Sequence, residues 1–136
     1  MKGKIGLEEH FAVPGTALNP RGTYSDVTWA ELKGRLLELH GERLALMDQH
    51  GIEMMVVSLN APAVQAIPDT KKAVALARQA NDALADEVAR RPDRFQALAA
   101  VAMQDVDAAI KELERAVKEL GFKGCLLYTS PSPRDS

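Results

Sequence analysis

Two side chains near the N-terminus, Glu8 and His10, have the types and spacing to hold a divalent ion. They close a short apolar run, Lys4-Ile5-Gly6-Leu7. A strand beginning there turns alternate side chains to opposite faces, so Glu8 and His10 share one. A carboxylate oxygen and an imidazole nitrogen placed that way can converge on one metal. Ile5 and Leu7 take the other face, which suits packing against helices, and Gly6 leaves the metal side open beneath Glu8. The same residues also fit a solvated strand end with no ligand, because short motifs match often by chance.

The elements that must position this pair follow in order. Residues 11–28 read as an irregular loop punctuated by Pro14, Gly15, Pro20 and Gly22, long enough to be functional or mobile. Thr28-Trp29-Ala30-Glu31 has the spacing of a capping box, and the helix it starts carries Trp29, Leu32, Leu36, Leu39, Arg43 and Met47 along one stripe. That helix ends near His50-Gly51, where glycine can take the left-handed conformation. His40 and His50 read as helix-surface and helix-end residues without ligand-spaced partners. Residues 54–60 form a second strand, with Met55, Val57 and Leu59 on an apolar face and Ser58 and Asn60 polar on the other at the C-terminal tip. The loop 61–68 is apolar, as a pocket wall or a loop packed on the core would be.

Asp69 or Thr70 caps a second helix striped by Val74, Ala77, Asn81, Leu84 and Val88, which stops before Pro92. A small-residue strand runs from Phe95 to Met103. Asp105 caps a third helix with a stripe of Ile110, Leu113, Val117 and Leu120, and residues 122–127 begin a fourth strand. Strand and helix alternate throughout, which argues for an α/β fold with parallel strands.

At 136 residues the chain can build one domain with a real core. Lys plus Arg is 17 against 19 for Asp plus Glu, a net charge of -2, which gives no electrostatic reason for nucleic acid or an anionic membrane as partner. No apolar run approaches a membrane span, no secretory leader is visible, and one cysteine excludes an intrachain disulfide framework. The cytoplasm is the simplest compartment. The end of the chain, 128–136, has no periodicity and two prolines, Pro131 and Pro133. Cys125 through Asp135 resembles the in-frame translation of a sequencing adapter, which divides the chain into a natural segment 1–124 and a non-native tail 125–136.

Four blocks then carry a resemblance: Leu7-Glu8-Glu9-His10-Phe11-Ala12, residues 46–53 around Asp48 and His50, Ser58-Leu59-Asn60-Ala61-Pro62-Ala63-Val64-Gln65, and Arg91-Pro92-Asp93-Arg94-Phe95. In this order and spacing, segment 1–124 resembles the N-terminal part of the γ-resorcylate (2,6-dihydroxybenzoate) decarboxylases of the amidohydrolase superfamily. The resemblance implies the first three and a half units of a (β/α)₈ barrel, a fold of roughly 250 residues or more. It implies Glu8 and His10 as metal ligands for manganese or zinc, and Asn60 as a pocket residue touching a small aromatic acid. The remaining ligands and the aspartate that protonates the ring would lie beyond Gly124, so no catalytic proton donor is expected here. It further implies release of carbon dioxide without an organic cofactor, and a full-length parent that is a homo-oligomer.

Two other readings stand beside this one. The first is part of a metal-dependent hydrolase of a lactone or amide on the same barrel. The second is a non-catalytic α/β module, which requires residues 128–136 to be natural and the sheet to protect its own edges.

Overall fold

Apolar residues on alternate positions of three short segments build a parallel sheet of order β1-β2-β3, with β1 at Lys4–Phe11, β2 at Ile52–Leu59 and β3 at Phe95–Ala97. The structure, a computed structural model, describes residues 3–17 and 22–127. Helices α1 (Asp26–Leu37), α2 (Glu42–His50), α3 (Thr70–Arg90) and α4 (Val106–Lys118) connect and follow the strands. None of the described helices is long and apolar enough to cross a membrane.

Paired residues of parallel strands project from the same side of the sheet. Met55 pairs with Phe95 and Val57 with Ala97, and all four are buried with Leu59 in one core that includes Met47 of α2 and Ala73, Ala77, Ala80 and Leu84 of α3. The opposite face carries Met54, Val56 and Gln96, which are only half-buried.

In β1 the register slips. Lys4 pairs with Ile52 but Ile5 with Met54, an extra residue on β2, and then Gly6 pairs with Met55 but Glu9 with Val57, an extra residue on β1 that restores the first offset. A slip of this kind breaks the alternation of faces. Ile5 pairs with Met54, on the open face, and is 57% exposed, while Leu7 is 70% exposed. The expectation that Ile5 and Leu7 pack against helices is therefore wrong. Gly6 sits on the helix side with Met55, and a Cβ there would come within 3.0 Å of Glu9 Oε1. Its missing side chain makes room for Glu9, not for a metal beneath Glu8.

The helix expected from Thr28 to His50 is two helices. Ser25 is the cap of α1, its hydroxyl accepting Thr28 N–H at 3.2 Å, and α1 itself buries no residue. The break follows from Glu38, whose backbone is extended and whose carboxylate accepts the N–H of Gly41. That break drops Leu39 into the core and turns His40 away from the helix surface expected for it. The His40 ring meets the edge of Phe95 at 5.5 Å between centroids, and its Nε2 lies 2.7 Å from Glu87 Oε2. Gly51 takes the left-handed cap (φ 67°) after His50, as the sequence implied.

Asp69 and Asp105 cap α3 and α4 as expected. The strand expected over 95–103 is regular only to Ala97, and the fourth strand is a single parallel bridge, Ala99 to Cys125, among the described residues. The rest of the tail, 128–136, lies outside them.

Helix α4 keeps half of the stripe read from its sequence, since Leu113 and Leu120 pack half-buried against the core but Ile110 and Val117 do not. Its buried face is Ala109, Glu112 and Ala116, while Ile110 is 60% and Val117 44% exposed. The reason is a polar seam with α3. Buried Asn81 donates through Nδ2 to Glu112 Oε1 and to Ala100 O, both at 2.8 Å, and accepts Ala100 N–H at 2.8 Å. Arg115 completes the seam with two bonds to Glu112 and one to Asp82. Small residues beside the carboxylate let the helices close around it. A larger stripe there would hold them apart.

Removing Asn81 strands both polar groups of Ala100 and leaves Glu112 to its bonds from Arg115, so Asn81→Ala is expected to cost about 2–4 kcal/mol in urea unfolding, and a loss below about 1 kcal/mol would contradict the seam's role. Burial pushes the Glu112 carboxyl up, but bonds from Arg115 and Asn81 outweigh it and hold the group below its ordinary value. A depressed native value contributes stability above the unfolded value of about 4.3 that is lost as pH falls through the native one. Glu112→Gln should therefore flatten the acid limb of the stability curve.

Candidate metal and ligand site

The C-terminal ends of β1 and β2 meet through three polar groups. Asn60 N–H donates to Phe11 O at 2.9 Å, continuing the ladder one residue past β2. One position earlier, His10 and Ser58 are paired residues on the same side of the sheet, with His10 Nδ1 3.1 Å from Ser58 Oγ. The turn after β1 closes on itself through Thr16, whose hydroxyl accepts Val13 N–H at 3.1 Å and lies 3.5 Å from Asn60 Oδ1. Thr16, Ser58 and Asn60 are all buried.

Glu8 and His10 both lie in β1, with Glu8 exposed and His10 half-buried. Glu8 falls within the register slip, which sets it apart from the regular ladder. Where Ser58 Oγ accepts a hydrogen bond from Nδ1–H, the Nε2 lone pair is left for a cation, the usual way a neighbour orients a ligating histidine. A carboxylate and an imidazole so oriented fit a borderline-hard divalent ion. No group of three His, Cys, Asp or Glu able to hold a metal occurs among the described residues. The two expected ligands are present without a third.

Asn60 is placed at the strand tip, as its position in the sequence implied, but its amide is engaged within the chain. Its Nδ2 donates to Ala61 O at 3.3 Å while Oδ1 faces Thr16. Ser58 is the residue whose role sequence reasoning missed. The signal was its polarity inside an apolar strand, opposite His10.

A cavity of about 340 Å³ opens beside these tips, within the usual size range for small-molecule sites. Ser58 and Leu59 form its base. One wall is the loop Ala61–Gln65 and the other is Ala99–Val101, with Leu126 and Leu127 beside them. The surface is mainly apolar, and the apolar loop anticipated as either a pocket wall or a packed loop is both, since Val64 is fully buried behind it. A second groove, about 360 Å³, lies between β1 and α1–α2. Glu8, Glu9 and His10 line it on the β1 side, and Glu38 and Arg43 on the helix side. Arg43 donates to Glu38 O at 3.2 Å and to Arg35 O at 2.8 Å, and burial lowers its affinity for the proton against the opposing pull of Glu9 and Glu38.

A profile of the amidohydrolase family (Amidohydro_2) matches residues 10–136. The γ-resorcylate decarboxylase of Rhizobium radiobacter is 59% identical over 127 residues, which cover 93% of this chain and 39% of that protein. That of Rhodococcus jostii is 56% identical with the same coverage. A 2,6-dihydroxybenzoate decarboxylase solved with 2,6-dihydroxybenzoate superposes with a TM-score of 0.90 at 57% identity, over 93% of this chain and 39% of that one. A dihydroxybenzoic acid decarboxylase from Polaromonas sp. JS666, solved with manganese and the inhibitor 2-nitroresorcinol, gives 0.89 at 55% identity, over 93% and 38%. The chain thus spans about 39% of the length of the relatives it matches, and its open three-stranded sheet is part of a barrel.

The His10–Ser58 pair makes a tautomer testable in the chain itself. Long-range ¹H–¹⁵N spectra of the neutral His10 ring should show the proton on Nδ1, and Ser58→Ala should mix the two tautomers. A ring protonated on Nε2 in the unmodified chain would remove the argument for a free Nε2.

Proposed function

The chain belongs to the amidohydrolase family, and on that premise we propose that it forms the part of a metal-dependent, non-oxidative decarboxylase of a 2,6-dihydroxybenzoate-type acid that supplies the first two metal ligands. The observation that carries the reading is the paired placement of His10 and Ser58 at the C-terminal strand ends, with Glu8 two residues away. Active sites of such barrels lie at those ends. The bound metal of one relative and the bound dihydroxybenzoate of another support a divalent ion and a small aromatic acid. Manganese is the ion we favour over zinc on that ground.

In this reading Glu8 and His10 hold the ion, and Ser58 fixes the imidazole so that Nε2 faces it. A bound divalent ion would supply positive charge to the substrate's carboxylate and neighbouring hydroxyl. The apolar cavity walls would hold the ring and exclude water. Asn60 shapes this end of the sheet by joining the β1 turn to the β2 loop. Loss of carbon dioxide requires a proton delivered to the ring carbon, and we assign that step to an acid outside residues 1–124. We further read residues 125–136 as a foreign tail, which sequencing the parent DNA past the Gly124 codon would decide.

The test joins residues 1–124 to the complementary barrel part of a full-length relative. That chimera should consume 2,6-dihydroxybenzoate with manganese present, followed by loss of substrate absorbance. Glu8→Ala and His10→Ala should each lower kcat/KM by about 100-fold or more, the scale of losing a metal ligand rather than a supporting contact. The 136-residue chain alone should not turn over the acid. A His10→Ala chimera with full activity would refute the assignment.

A further inference from the structure

The two walls of the apolar cavity are tied together by side-chain amides that the site as described does not use. Gln104 reaches back from the loop before α4, and its Nε2 donates to Val64 O at 2.8 Å and to Ile67 O at 2.9 Å. Gln65 reaches the other way, donating to Val101 O at 2.7 Å, with its Oε1 3.4 Å from Met103 N. Each wall therefore carries a glutamine that satisfies backbone groups of the other.

Two features mark this tie as more than ordinary loop packing. Ala63, in the wall, has φ of 50°, a left-handed conformation that a non-glycine residue rarely adopts. Gln104 Oε1 is buried with no partner in the structure, so this amide is held with an acceptor unsatisfied. Flipping it would satisfy neither carbonyl, because both need a donor. The pair of donated bonds fixes the orientation, and the orphan oxygen is the consequence.

We propose that Gln104 is a positioning residue, which acts through the loop Ala63–Ile67 to set the separation of the two cavity walls and so orients the aromatic ring. The proposal rests on the decarboxylase reading for the ligand but on the hydrogen bonds alone for the clamp. It places no demand on the metal ligands, which lie on the β1 side. Gln65 serves the same tie from the opposite wall, but it is exposed and has one short bond where Gln104 has two.

Gln104→Glu keeps the shape and removes the donors, leaving a carboxylate facing two carbonyls. In the full 136-residue chain, amide exchange at Val64 to Ile67 should then quicken by about 10-fold or more, while β2 and α3 exchange as before. Unchanged exchange in that loop overturns the clamp, whatever any enzyme assay gives. In the chimera, Gln104→Glu should raise KM and lower kcat with manganese affinity unaltered. Its activity relative to the unmodified chimera should recover as pH falls, because the protonated acid regains one donor. A variant that only melts earlier, with kcat, KM and their pH dependence intact, would overturn the positioning role. If the unmodified chimera fails to consume 2,6-dihydroxybenzoate, the functional reading fails while the exchange result still decides the clamp.

Discussion

The parallel pairing of β1 with β2, including its slip between Gly6 and Glu9, is the constraint on which the rest depends. The slip sets which residues of β1 face the helices and which face the open side. Past it, Glu9, His10 and Phe11 fall in register with Val57, Ser58 and Leu59. There a polar histidine meets Ser58, the single hydroxyl of the strand. An opposite slip between Lys4 and Ile5 precedes the one at Gly6, so His10 and Ser58 regain the offset of Lys4 and Ile52 and fall on the face away from the helix-side core.

The consequences run outward from that register. Helix-side positions of the three strands form one continuous core with α2 and α3, and the other face, where Met54 and Val56 mix with Gln96, Ser58 and His10, stays partly uncovered. An uncovered face of this composition is what a barrel interior looks like before its circle is complete. The polar seam of Asn81, Glu112 and Arg115 fixes α4 against α3 and, through Ala100, holds one wall of the cavity. Stability of the helix layer and shape of the ligand cavity are thus linked through one buried amide.

Much of this was legible in the residues. The alternation of β2, the aspartate caps of α3 and α4, and the glycine stop after His50 all follow local rules, and the structure keeps them. What the residues hid was set by tertiary pairing. A register slip has no local signature, so Ile5 and Leu7 were placed on the wrong face. The break at Glu38–Gly41 was masked because leucines continue the helical stripe through it. In α4 two of the stripe's residues, Leu113 and Leu120, pack on the core, but one buried carboxylate with its arginine and asparagine partners turns Ile110 and Val117 outward. The candidate ligands Glu8 and His10 were visible by type, and their supporting Ser58 was visible only once the register was known.

The central claim is that Glu8 and His10 hold a divalent ion, with the imidazole presented through Nε2. Anomalous diffraction from a manganese-loaded crystal of the chimera tests it most directly. The account requires one anomalous peak within direct coordination distance of both His10 Nε2 and a Glu8 carboxylate oxygen, with Ser58 still on Nδ1. A manganese site bound through Nδ1, or one that leaves Glu8 and His10 uncoordinated, would contradict it.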